Sequence, residues 1–122
     1  MKLAIVVPCY NEEEVLPETS KRLLEVIENL VKKELVDEGQ ILFVDDGSRD
    51  KTWQLIEEAG EKDKRIGGLK LSCNRGHQYA LWAGLKWSAE HSDVSISIDA
   101  DLQDDVNAIY EMAEKFRSGY DI

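Results

Sequence analysis

Two cysteines, Cys9 and Cys73, are all that the 122 residues contain. So few, so far apart, they exclude a disulfide framework and a structural zinc site, and they fit a reducing, cytoplasmic setting. Positive charge is also in deficit: the net charge is −10. That excludes the basic face a nucleic-acid partner requires, and simple electrostatic docking on an anionic membrane. An acidic chain that binds a polyanion needs a cation between the two. No apolar run reaches the length of a membrane span. No secretory leader is read at the N-terminus, where Met1-Lys2 leads straight into Leu3-Ala4-Ile5-Val6-Val7 and Pro8 is expected to cut the run short. Internal repeats, low-complexity tracts and linkers are missing too. What remains is an ordinary globular balance, 43% hydrophobic and 33% charged, in a length that suits one core.

The pattern alternates between two periods. Leu3 to Val7 and Ile41 to Val44 are short continuous apolar runs, the mark of buried strands. Between them Leu16, Leu23, Ile27, Leu30 and Val31 recur at helical spacing. Trp53, Ile56 and Ala59 give a second helix with Asp50 as its expected N-cap. Ile66 to Leu71 reads as a weaker strand, because Gly67-Gly68 disfavours it. His77 to Trp87 reads as a third helix, in which Trp82 and Trp87 are expected to pack in the core or at an interface. Val94, Ile96 and Ile98 alternate with Ser95 and Ser97 as a fourth strand. Ile109, Met112, Ala113 and Phe116 mark a last helix. Glu57 to Arg65 is a charge run expected on a solvated helix face. The order βαβαβαβα predicts a three-layer α/β/α fold, a Rossmann-like open parallel sheet with right-handed crossovers.

In such sheets ligands bind beyond the carboxyl ends of the strands, and the polar residues gather there. The first strand ends in Pro8-Cys9-Tyr10-Asn11-Glu12-Glu13, the second in Asp45-Asp46-Gly47-Ser48. The third ends in Ser72-Cys73-Asn74-Arg75-Gly76-His77, the fourth in Asp99-Ala100-Asp101-Leu102-Gln103-Asp104-Asp105. Residues two apart on an extended segment share a side, so Asp99, Asp101 and Gln103 can converge. Two carboxylates that close repel unless a cation sits between them, and hard oxygen donors select Mg²⁺ or Mn²⁺. Asp104 and Asp105 read as turn and capping residues for a helix at Val106. Of Asp45 and Asp46, one is expected to serve the Asp-Gly turn and the other to accept hydrogen bonds from a ribose or base. Tyr10 can stack on a base or pack its loop, and Glu12 can be an early helix residue. Asn74 to His77 opens a helix whose N–H groups can meet a phosphate; His77 itself reads as an exposed first-turn residue.

These segments together resemble family 2 glycosyltransferases. The resemblance runs through Pro8 to Glu13, through Val44-Asp45-Asp46-Gly47-Ser48 with Asp50 and Thr52, and through Asn74, Gly76, His77 and Gln78 with Ala80-Leu81 and Ala83-Gly84-Leu85. It closes on Asp99-Ala100-Asp101-Leu102-Gln103-Asp104. The last segment is most similar to the polyprenyl-phosphate sugar transferase branch. The resemblance implies a GT-A fold, a UDP- or GDP-sugar donor, and inversion at the anomeric carbon. It assigns Pro8, Tyr10, Glu12, Asp45 and Asp46 to the nucleoside, with Asn74, Asp99 and Ala100 also on the nucleotide. It assigns Asp99, Asp101 and Gln103 to Mg²⁺ or Mn²⁺ and the diphosphate. The implied acceptor is a polyprenyl phosphate or a growing glycan, in bacterial cell-wall or polysaccharide biosynthesis. Two departures stand out. Cys73-Asn74-Arg75 replaces the family's Arg-Asn-aromatic, and Asp105-Val106-Asn107 replaces its Pro-Pro-Glu.

Residues 1–122 are therefore read as the N-terminal, nucleotide-sugar-binding part of the catalytic domain. The catalytic base is expected beyond Ile122, so that this part alone is inactive in transfer, and the full-length protein is expected at the cytoplasmic face of a membrane. Two other classes compete. A non-catalytic metal- and nucleotide-binding module shares the same residues. A signalling receiver domain shares the length and the acidic strand ends, but carries its acidic pair after the first strand and a lysine after a fifth. A dinucleotide-binding domain is disfavoured because no G-x-G-x-x-G follows the first strand.

Overall fold

The computed structural model describes residues 1–73, 76–100 and 107–117. The elements are β1 (Lys2–Cys9), α1 (Leu16–Lys32), β2 (Glu38–Asp45), α2 (Thr52–Lys62), β3 (Ile66–Lys70), α3 (His77–His91), β4 (Val94–Ser97) and α4 (Asn107–Arg117). The four strands form one parallel sheet in the order β3-β2-β1-β4. The two apolar runs thus lie at the centre, where both of their faces are buried. The weak third strand lies at an edge, as its glycines require. A side chain at Gly68 would collide with Ile56 and Trp53, so α2 sits directly over that backbone.

The two faces are covered unequally. Leu3, Ile5, Val7, Ile41, Phe43, Ile96 and Ile98 pack under α1, α2 and α4 in the main core. Val6, Leu42, Val44 and Ala80 form a smaller core under α3. A Cβ on Gly84 would come within 2.4 Å of Val6 and 2.9 Å of Val44, so only glycine lets α3 lie this close.

Two expectations are corrected and a third is narrowed. Pro8 does not end β1, which continues to Cys9 opposite Asp45. The Val6 carbonyl accepts the Ile98 N–H at 3.0 Å, so Pro8, two residues on, turns its nitrogen to the same side. The last β1–β4 pair is Val6 with Ser97, so there the ladder has ended and no N–H is needed. Asp50 is not the N-cap of α2; Lys51 is. Asp50 nevertheless accepts the Thr52 N–H at 2.9 Å, so its carboxylate still serves the first helical donor. Of the two places expected for Trp82, the core is excluded and an interface stays open: it stands 56% exposed on α3, beside exposed Tyr79. Trp87 is partly buried against the smaller core and stacks on His91. Among the described residues no helix is long and apolar enough to cross a membrane.

Candidate donor-binding edge

The carboxyl ends of β1, β2 and β4 lie side by side, with β1 in the middle. Each loop there is tied to its neighbour through side chains. The loop after β1 turns at Asn11, a non-glycine residue at φ 52°. Its N–H donates to Ser48 Oγ at 2.8 Å, and its side-chain oxygen accepts the Arg49 N–H at 2.9 Å. The Glu12 N–H donates to Thr52 Oγ1 at 2.8 Å, and the Glu13 N–H to Asp50 at 3.3 Å. The two loops thus form one platform, turning at Gly47 with φ 73°. Burial opposes ionisation of Asp50. The Thr52 hydroxyl and the backbone N–H groups outweigh it and hold the carboxyl below its usual range.

Asp45 and Asp46 divide their work. Asp45 is fully buried; one oxygen accepts the Ser48 N–H at 3.2 Å, while Oδ2 has no hydrogen-bond partner among the described residues. Asp46, 4% exposed, accepts the Gly76 N–H at 3.0 Å and so holds the entry to α3 against the end of β2. Asp46 therefore fills a structural role, and Asp45 carries the open acceptor. A buried carboxylate oxygen without a donor costs about 1–3 kcal/mol, which a ligand N–H or O–H would recover.

Of the other expected residues, Pro8 is buried, Tyr10 is exposed at 39%, and Glu12 lies in the loop before α1, not in the helix. Asp99 is exposed and Ala100 is buried, so the alternation of Ile98 and Ala100 inward continues past β4. Asn74, Asp101, Gln103, Asp104 and Asp105 lie outside the described residues, as does the His77 side chain. Cys9 lies at the same edge. Burial raises its thiol pKa, and the Glu12 and Asp45 carboxylates add to that, so it stays protonated and inert. Thr19 was missed in the sequence. It is 2% exposed and donates to the Ala100 carbonyl at 2.5 Å. The sequence offered only the pair of hydroxyls Thr19-Ser20 on the buried stripe between Leu16 and Leu23, without a sign of what either bonds.

The chemistry available is hydrogen-bond acceptance at Asp45 and hard-oxygen ligation at Asp99. Asp99 suits a divalent ion, because it offers an exposed carboxylate at the end of a buried strand. Two larger cavities lie elsewhere. One, of about 690 Å³, is at the amino-end of the sheet by Lys2 and Gln40, and one of about 580 Å³ lies between α1 and α2. Neither is lined by Asp45, Asp46 or Asp99.

Residues 4–122 match the family model for glycosyl transferase family 2. The chain belongs to that family. It is 52% identical over 121 residues to an uncharacterized glycosyltransferase, YkoT, of Bacillus subtilis, covering 98% of this chain and 36% of that one. It is 38% identical to an undecaprenyl-phosphate 4-deoxy-4-formamido-L-arabinose transferase of Pseudomonas fluorescens, over 98% of this chain and 33% of that protein. A bactoprenol glucosyl transferase of Shigella phage SfX is 37% identical, over all of this chain and 38% of the relative. The chain thus spans about a third of the length of these relatives. Among solved structures, TarS of S. aureus in complex with UDP superposes with a TM-score of 0.63 at 26% identity, over 83% of this chain and 28% of that one. A mannosyltransferase of Pyrobaculum calidifontis in complex with GDP-Man and Mn²⁺ shares the fold at a TM-score of 0.64 and 18% identity, over 98% of this chain and 32% of that one. The expected GT-A glycosyltransferase fold is the fold observed.

Proposed function

We propose that this family 2 chain is the nucleotide-sugar-binding part of an inverting glycosyltransferase. It takes a UDP- or GDP-sugar through Mg²⁺ or Mn²⁺, and the whole protein transfers the sugar to a polyprenyl phosphate. The observation that carries the reading is Asp45: fully buried at the sheet's carboxyl edge, with Oδ2 lacking a partner among the described residues. That oxygen would accept a donor from the nucleoside, with Pro8, Tyr10 and Glu12 around it. Asp99, with Asp101 and Gln103, would hold the ion that supplies Lewis-acid stabilisation to the departing diphosphate. Asn74, with the N-terminal N–H groups of α3, would line the phosphate side. The relatives that act on undecaprenyl phosphate and bactoprenol support the choice of acceptor.

Isothermal calorimetry with UDP and GDP, in Mn²⁺ and in EDTA, tests this. Binding of one of them is expected to weaken sharply in chelator and to weaken again in Asp45→Ala. Equal affinity in EDTA would remove the metal from the reading, and no binding of either nucleotide would remove the donor.

A further inference from the structure

Thr19 lies on the core-facing side of α1 with Leu16 and Leu23, both buried. A hydroxyl in such a place must find a partner. The common solution is to turn back on a carbonyl of its own helix. Here the hydroxyl instead donates across the molecule to the carbonyl of Ala100, 81 residues away, at 2.5 Å. Ala100 is the middle residue of Asp99-Ala100-Asp101, and its side chain packs in the main core with Ile98 and Ile109. The sheet no longer guides the chain at this point. The last β1–β4 pair is Val6 with Ser97, and Ile98 makes the last bond to β1. The Ala100 carbonyl belongs to the peptide that leads into Asp101. That peptide is the covalent link between the two aspartates of the motif.

We propose that Thr19 is a positioning residue for the metal motif, its hydroxyl fixing the Ala100 peptide that joins the two aspartates of that motif. The proposal rests on the reading above that Asp99 and Asp101 hold a divalent ion. Metal donors must be held to within about half an ångström. Partners that only orient ligands typically contribute about 10–100-fold in metal affinity.

The test uses the full chain and Mn²⁺ as the probe, titrated by its paramagnetic resonance signal with and without GDP or UDP. Thr19→Val removes the hydroxyl at nearly constant shape. Thr19→Ser and Thr19→Ala form a second pair that differs only in the hydroxyl, and this pair decides the matter if the valine variant does not fold. Valine and alanine are expected to bind Mn²⁺ about tenfold more weakly, with serine restoring most of the affinity. The chelator-insensitive part of nucleotide binding is expected to stay constant. Equal Mn²⁺ affinity in all the variants, or equal weakening with serine and alanine, would overturn the role of Thr19 while leaving the metal site standing. A wild-type chain that binds no Mn²⁺ would overturn the metal reading, and this proposal with it.

Discussion

The two acidic groups of the carboxyl edge use the same residue in opposite ways. Asp45, the last residue of β2, and Asp46, the next, are buried, and both accept backbone N–H groups. Asp99, after β4, is exposed. Asp46 is committed to the entry of α3, whereas Asp99 is displayed toward solvent at the end of its strand. A buried carboxylate is stable only where donors surround it, so the first group is framework with one open oxygen. An exposed carboxylate keeps its hydration until a stronger partner arrives, which suits a reversibly bound cation. The difference separates residues that hold the fold from residues proposed to hold a ligand.

The contrast can be broken from either side. The largest effect is expected from Asp101→Asn. It should weaken Mn²⁺-dependent nucleotide binding by more than the roughly hundredfold seen for residues that merely orient ligands, with an unchanged urea midpoint. Calorimetry and denaturation on the same samples check this; a loss of stability instead would assign the motif to the framework. Asp46→Ala should do the reverse. It leaves the Gly76 N–H without its carboxylate and is expected to cost about 1–2 kcal/mol of unfolding free energy. The expected signature is a lower midpoint at constant slope, with Mn²⁺ affinity nearly intact.

The smallest effect concerns Asp50, whose carboxyl sits below its usual range through its hydrogen bonds to Thr52 and Glu13. A lowered native pKa means that the unfolded chain binds the proton more readily. The stability this group contributes is therefore present above pH about 4, near the unfolded carboxyl pKa, and lost as pH falls through the lower native value. Asp50→Asn should lower the neutral plateau of a stability–pH curve slightly and leave its acid end almost unmoved, so that the acid limb flattens. A parallel shift of the whole curve would contradict this.

Much of the fold was legible because its two periods are clean. Leu3–Val7 and Ile41–Val44 are buried on both faces, and no helix could use such short runs. The boundaries were less legible where tertiary context decides. Pro8 looks like a strand breaker, and only the early end of the β4 ladder makes it harmless. Trp82 looks like core by residue type, yet α3 contributes to its core through Ala80 and Gly84 and turns the tryptophan outward. At the site, spacing and strand ends located the acidic residues. Spacing could not separate Asp45 from Asp46, because their difference lies in which backbone N–H each meets. Thr19 was hidden for the same reason: its partner is a carbonyl, and a carbonyl leaves no mark in a sequence.

The register of the sheet also implies an order of assembly. The first loop meets the second through Asn11 and Ser48, 37 residues apart, whereas Thr19 reaches Ala100 across 81. Closing the longer span costs about 0.7 kcal/mol more in chain entropy, and it becomes favourable only once α1 lies on the sheet. The proposed nucleoside side of the edge is thus expected to form first, with the proposed metal side stitched on afterwards. In pulse-labelled hydrogen exchange, the Asp46 amide should gain protection before that of Ile98. A folding chain would acquire a place for the base before it acquires a place for the ion.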